Sequence, residues 1–271
     1  MDSIAPIDSR QSAPVSRARK LLRPSGRKAT GQFLVEGPQS VREAVRAGSI
    51  DELFFTDSAS ERHPELVAQA TELGARMYLV TDAVLEYLSD TVNPQGLSAV
   101  VPTFSATIPE ILAKKPQLIV VLDQVQDPGN AGTVIRIADA AGADAVLATA
   151  NTVDVFNPKC VRASAGSIFH IPVVSEVVSG NLQSDLRSGG IQSVAAIADA
   201  THTIFDAQAI ELMKAPTCWF FGNEANGLSP DVVAACDHQL SIPMFGQAES
   251  LNLAAAAAVC IYASVQAQLG S

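Results

Sequence analysis

Three stretches in the second half of the chain carry residue types that could do chemistry. The first is "TCWFFGNEANGLSP", Thr217 to Pro230. Gly222, Gly227 and Ser229 have the spacing of a G-x-x-x-x-G-K-[ST] phosphate loop, but Leu228 stands where that loop needs its lysine. Without the cation, β- and γ-phosphates are not held. Asn223, Glu224 and Asn226 instead offer amides and a carboxylate, which suit a neutral or cationic ligand. Gly222, ending an apolar run, would let a ligand approach the backbone; the purely structural alternative is a turn held by Asx-type hydrogen bonds.

The second stretch is "LDQVQDPGNAGTVIRIADAAG", Leu122 to Gly142. Pro128 and Gly129 make a turn, and Asn130 is suited to cap a helix whose buried face is Ala131, Val134, Ile135, Ala138 and Ala141. Arg136 falls on the other face with Thr133 and Asp139. It is either a surface arginine with an i,i+3 partner or a cation kept for function. Gly129 and Gly132 give G-x-x-G, which lacks the G-x-G-x-x-G of a dinucleotide site. The third stretch is "SIPMFGQAESLNLAAAAAVCIYASVQAQL", Ser241 to Leu269. A strand ending at Ile242-Pro243 leads into a helix that is expected to begin near Ser250 and holds five consecutive alanines, Ala254 to Ala258. Ser250 reads equally as an N-cap and as a site residue. Asn252, placed in the first helical turn where asparagine is a mediocre helix former, points to function.

These loops need strands to position them. "LIVVLD", "AVLATA", "IFHIPVV", "IQSVAAIA", "TCWFFG" and "HQLSIP" are short apolar runs with helical patterns between them, which predicts a parallel sheet covered on both faces. Such a sheet binds its ligand at the C-terminal ends of its strands, so function is expected after Asp123, Phe221 and Ile242. Earlier in the chain "FLVEG", "IDELFFT", "RMYLVT" and "PQGLSAVVP" alternate with helices in a smaller α/β unit. The expected organisation is a basic arm over 1–29, a small α/β domain over 30–103, a linker over 104–116 and the main α/β domain over 117–271.

No apolar run reaches the roughly 18 to 20 residues of a spanning helix, and the N-terminus lacks a signal-peptide core, which predicts a cytoplasmic protein. Cys160, Cys218, Cys236 and Cys260 have no metal-site spacing; free thiols and no metal are expected. Net charge is −10, adverse to nucleic acid as a whole. The charge is uneven, however. Between Ser9 and Val35 lie seven cations, Arg10, Arg17, Arg19, Lys20, Arg23, Arg27 and Lys28, and no acid. That segment reads either as a solvated tail or as a phosphate-contacting arm.

Taken in order, "DPGNAGTVIRIADAAG", "FFGNEANGLS" and "IPMFGQAESLNLAAAA" resemble the three signature motifs of the SpoU (TrmH-like) branch of the SPOUT RNA methyltransferases. "NPKCVRASAGSIFHIPV" resembles the segment between the first two, and "FLVEGPQSVREAV" with "NPQGLSAVV" is similar to the L30e-like substrate-binding domain of two-domain members. The resemblance implies an S-adenosylmethionine-dependent enzyme acting on RNA ribose 2′-hydroxyls, most readily in ribosomal RNA, with tRNA as the alternative substrate. It also implies a homodimer and a deep C-terminal trefoil knot, where periodicity alone would predict an unknotted sheet. By position, Gly222, Asn223, Ile242, Leu251 and Ala198 are the expected cofactor contacts, and Asn130, Arg136, Glu224, Ser250 and Asn252 the expected catalytic set. Arg19, Lys20, Arg23, Arg27, Lys28 and Arg162 are expected to meet RNA. A 2′-hydroxyl is a very weak acid and needs help losing its proton or carrying the developing oxyanion. A guanidinium is a poor base, so Arg136 is expected to stabilise the alkoxide or fix a neighbouring phosphate. Two rival expectations remain: an RNA-binding protein of this fold without the chemistry, and a nucleotide-binding enzyme, which the missing lysine and glycine pattern disfavour.

Overall fold

In the smaller unit, β1 (Gln32–Glu36), β2 (Glu52–Phe55), β3 (Arg76–Leu79) and β4 (Leu97–Pro102) form a sheet of order β1-β4-β2-β3. β4 is antiparallel to β1 and β2, and β2 is parallel to β3. The computed structural model describes residues 5–270. The smaller unit takes the chain up to Phe104 together with Phe156–His170; Ser105–Val155 and the chain from Ile171 onward make the second.

Two features of the smaller unit differ from expectation. The basic segment is not a free arm: it forms helices Ala13–Lys20 and Pro24–Thr30. Val15, Ala18 and Leu21 are spaced to share one face and are buried in a cluster with Leu34, Phe54, Leu85 and Val100. The segment 156–170 belongs here and not with the sheet that flanks it in sequence. Its Phe156 and Phe169 pack on Phe33 of β1, with ring centroids 4.8 and 6.1 Å away.

The second unit is built on β5 (Leu118–Leu122), β6 (Ala145–Thr149), β7 (Val173–Val177), β8 (Gln192–Ala196), β9 (His202–Thr203), β10 (Thr217–Phe221) and β11 (His238–Ser241). Every pairing in this sheet is parallel, in the order β7-β6-β5-β10-β8-β11-β9. All residues of β5, β6 and β10 are buried, which is why those strands read as unbroken apolar runs. "IFHIPVV" contributes a strand only from Val173, because Ser167–Phe169 turns as a short 3₁₀ helix in the other unit. The expected linker is partly structured: Thr107 and Glu110 form a capping box on the helix Ile108–Leu112, and its Ile111 enters the core of the parallel sheet.

The last helix, Leu253–Leu269, packs on β10 and on the helix Pro128–Ala140. Its buried face is Ala254, Ala257, Cys260, Ile261, Ser264 and Ala267, so two of the five consecutive alanines allow close packing within the chain. Trp219 of β10 is fully buried and its Nε1–H donates to Ser264 Oγ at 2.8 Å. Ser264→Ala leaves that indole donor without a partner in the core. The variant is expected to lose about 1–3 kcal/mol of stability, measured by urea unfolding. A loss near zero would show that the bond contributes nothing net.

Candidate active site

In the parallel sheet β5, β10, β8 and β11 are consecutive neighbours, and the loops leaving their C-terminal ends surround one cleft of about 660 Å³. Asn130 comes from the loop and helix after β5, Gly222, Asn223 and Glu224 from after β10, Ala198 from after β8, and Ile242, Ser250, Leu251 and Asn252 from after β11. All five expected cofactor contacts line this cleft. So do four of the five expected catalytic residues.

A chain of hydrogen bonds joins three of the loops. The Glu224 carboxylate accepts from the Gln126 and Asp127 N–H groups and from Asn130 Nδ2, each at 3.1 Å. Asn130 Oδ1 accepts from Asn252 Nδ2 at 3.1 Å, and Asn252 Oδ1 accepts from the Ala254 N–H at 2.9 Å. A second tie runs from Asn223 Nδ2 to the Gln124 carbonyl at 3.0 Å, made by a Gln124 backbone in the left-handed region at φ 56°. Asn223 also turns the loop locally, its Oδ1 accepting from the Ala225 and Asn226 N–H groups.

The helix caps fall on different residues from those expected. Asp127 caps the helix Pro128–Ala140, accepting from the Asn130 N–H at 2.8 Å, so the Asn130 side chain is released to bridge Glu224 and Asn252. Asn252 caps the last helix, which starts at Leu253, and Ser250 lies two residues before the cap. Asn252 is therefore outside the first turn, in the position asparagine favours. Both caps were legible in principle: Asp-Pro is the signature of an N-cap followed by proline at the first helical position. Gln124 and Gln126, which tie the site through main-chain groups, carry no such signal.

Glu224 sits between opposing influences. Partial burial pushes its carboxyl up, but the Gln126 N–H, the Asn130 amide and the Asp127 N–H together hold it below the ordinary value of 4.5. A lowered carboxylate contributes order that is fully present above the unfolded value and is lost as pH falls through the folded one. The Asn130 side-chain amide resonance is thus expected to titrate by NMR with a midpoint below 4.5. A midpoint at or above 4.5 would contradict the geometry. Cys260 also lines the cleft, but burial pushes its thiol up to about 12, which makes it a neutral wall and not a nucleophile. Among the described residues no lysine or arginine lines the cleft, while Glu224 and Glu249 do.

Arg136 is placed differently. It is exposed on the helix Pro128–Ala140, about 9 Å along the axis from Asn130, and does not line the cleft of its own chain. The expected RNA contacts lie in the smaller unit and divide by burial. Lys20, Arg23 and Lys28 are exposed. Arg19 is partly spent: it donates to the Tyr87 carbonyl and its guanidinium lies 4.7 Å from the Tyr87 ring centroid. Arg27 is 3% exposed and donates to the Leu21 carbonyl at 2.8 Å, so it holds the two N-terminal helices together and does not face solvent. Arg162 is half-buried and faces Glu36 and Asp90.

Comparison with known proteins decides what this arrangement is. The SpoU rRNA methylase family matches residues 117–262, and an MRM3-like substrate binding domain matches residues 13–99. The chain belongs to the SpoU rRNA methylase family. Among SpoU-type relatives, an uncharacterized tRNA/rRNA methyltransferase of Synechocystis sp. is 35% identical over 96% of this chain and 93% of its own length. The 23S rRNA (guanosine(2553)-2′-O)-methyltransferase RlmP of Bacillus subtilis is 34% identical over 94% of this chain and 97% of its own. The SpoU methyltransferase AviRb of Streptomyces viridochromogenes, solved in complex with the cofactor AdoMet, superposes with a TM-score of 0.84 at 30% identity, covering 96% of this chain and 100% of that one. The MRM3-like match begins at residue 13, inside the segment expected to be an arm, in keeping with its two packed helices.

Proposed function

We propose that the cleft at the ends of β5, β10, β8 and β11 holds S-adenosylmethionine and that the chain methylates a ribose 2′-hydroxyl of ribosomal RNA. The chain is an S-adenosylmethionine-dependent RNA 2′-O-methyltransferase. One observation carries this most directly: the charged and amide side chains on the cleft are carboxylates and asparagines, with no lysine or arginine among the described residues, which suits a sulfonium and not a phosphate-bearing nucleotide. The cofactor supplies a methyl group made electrophilic by positive sulfur. Ile242, Leu251 and Ala198 would enclose its apolar parts, and the backbone around Gly222 and Asn223 would meet its polar ones. Asn130 and Asn252, oriented by Glu224 and by each other, would place the ribose.

Arg136 would stabilise the developing alkoxide or fix the adjacent phosphate, leaving the proton to that phosphate or to water. Because Arg136 stands outside its own cleft, a second copy of the chain is the source of the guanidinium in this proposal. The exposed Tyr262, Phe205 and Leu269 of the catalytic unit supply apolar surface that a homodimer would cover. A deep trefoil knot and a cytoplasmic setting belong to the same proposal; no helix among the described residues is long and apolar enough to cross a membrane. Calorimetry with S-adenosylmethionine, ATP and NAD is the first test, with binding expected for the first only. Mapping 2′-O-methylation on total RNA with and without the protein is the second. Modification of tRNA alone would move the substrate from ribosomal RNA to tRNA, and no modification of any RNA would leave a binding protein.

A further inference from the structure

A second cavity, of about 300 Å³, lies wholly within the smaller unit. Its walls are Glu36 at the end of β1, Arg162 on the helix Pro158–Ser164, and the loop between Ser89 and Leu97. The Glu36 side chain is only 6% exposed. One carboxylate oxygen accepts from the Ser89 hydroxyl at 2.6 Å, and the other from the Asp90 N–H at 2.9 Å. Arg162 Nη1 lies 3.7 Å from that carboxylate, is itself buried, and makes no hydrogen bond among the described residues. Arg162 Nη2 reaches Asp90 at 3.4 Å. Leu85 and Leu97 give the cavity an apolar side, and the Gln95 and Asn93 amides stand at its edge.

The loop is held in shape from below. Gly96 has φ +87°, and a Cβ there would come within 2.6 Å of Ala59 Cβ, so only glycine permits this conformation. A preformed, half-polar cavity whose one guanidinium faces the Glu36 and Asp90 carboxylates has no positive charge left to attract an anion. It matches a flat neutral ring that presents N–H donors beside an acceptor. Guanine does so on a single edge, with two adjacent N–H groups and a carbonyl oxygen. Uracil offers one N–H flanked by two carbonyls, which the carboxylate repels.

We propose that this cavity receives one unstacked guanine base of the substrate RNA, with its N–H edge against Glu36 and a base acceptor on Arg162 Nη1. The proposal rests on the RNA-methyltransferase function given above and adds a base preference to the smaller unit. Proteins read RNA sequence mostly at splayed-out, unpaired bases. Glu36 would act as reader and Arg162 as both reader and positioning group for the carboxylate.

The test uses the full chain and four fluorescent RNA hexamers: all uridine, or uridine with one central G, A or C. Fluorescence anisotropy is expected to show the G hexamer binding about tenfold tighter than all-U. Glu36→Gln turns one acceptor into a donor and should bring the two within about twofold. Gln95→Trp, at an exposed position on the cavity edge, should erase the preference by blocking entry. Both variants should keep the wild-type calorimetric affinity for S-adenosylmethionine, which shows that the chain is folded. Equal binding of all four hexamers by the wild type, or a G preference that survives both variants, overturns the proposal. Loss of S-adenosylmethionine binding in the wild type would instead remove the methyltransferase reading and leave the hexamer result standing by itself.

Discussion

Arg136→Ala is expected to slow methyl transfer by about 10²–10³-fold at saturating cofactor, the scale seen when one preorganised donor to an oxyanion is removed. Its affinity for S-adenosylmethionine should stay within about twofold, because Arg136 is assigned to the ribose oxygen or its phosphate and not to the cofactor. Arg136→Lys separates charge from shape: the ammonium keeps the positive charge but loses the planar fork. Near-normal turnover in that variant would remove the fork from the mechanism. The position of Arg136 adds a sharper arm to the experiment. If a second copy supplies the guanidinium, mixing Arg136→Ala with an inactive cleft variant such as Asn252→Ala should restore part of the activity, since some mixed dimers then hold one intact site. Single-turnover kinetics on the separate and mixed variants measure this, and absence of any recovery would return Arg136 to its own chain or to the surface.

Gly222→Ala should be the most damaging single methyl group in the cleft. A Cβ at this position would lie 2.2 Å from the Gly227 carbonyl carbon, 2.3 Å from the Leu228 nitrogen and 2.4 Å from the Gly227 oxygen. These are backbone atoms, so relief requires opening the turn itself. The turn is closed by reciprocal bonds, Asn223 N–H to the Gly227 carbonyl at 3.0 Å and Gly227 N–H to the Asn223 carbonyl at 2.8 Å. Opening it moves Asn223 and Glu224, and with them the link to Asn130. Overpacking of this kind costs about 1–3 kcal/mol in stability, and a shift of about 1 Å in a positioning group costs about 10²-fold in rate. Calorimetry and urea unfolding measure the two effects separately. Wild-type cofactor affinity in Gly222→Ala would show that the turn yields without cost. The glycine is thus required by the chain's own turn as well as by its place in the cleft: the atoms that a Cβ would meet belong to Gly227 and Leu228.

Burial decided several matters that composition left open. Seven cations without an acid between Ser9 and Val35 looked like an arm, yet Val15, Ala18 and Leu21 give the same segment a core-seeking face. Arg27 then becomes a buried tie, while Lys20, Arg23 and Lys28 remain available to phosphate. Likewise Phe156 and Phe169 draw the segment 156–170 away from its sequence neighbours, because aromatic burial outweighs chain continuity.

The linear chain by itself determined the strands, the parallel character of the larger sheet, and the three loops that carry the cleft, because apolar period and glycine placement are local properties of adjacent residues. Its motifs also named residues that line one cleft, Arg136 excepted. Only the tertiary structure decided that Glu224, Asn130 and Asn252 form one hydrogen-bonded chain and that Arg136 stands outside the cleft. The physical reason is that both depend on where strand order and helix packing bring groups far apart in sequence, such as the Asn130 and Asn252 side chains that meet within hydrogen-bond distance, and no local pattern contains that.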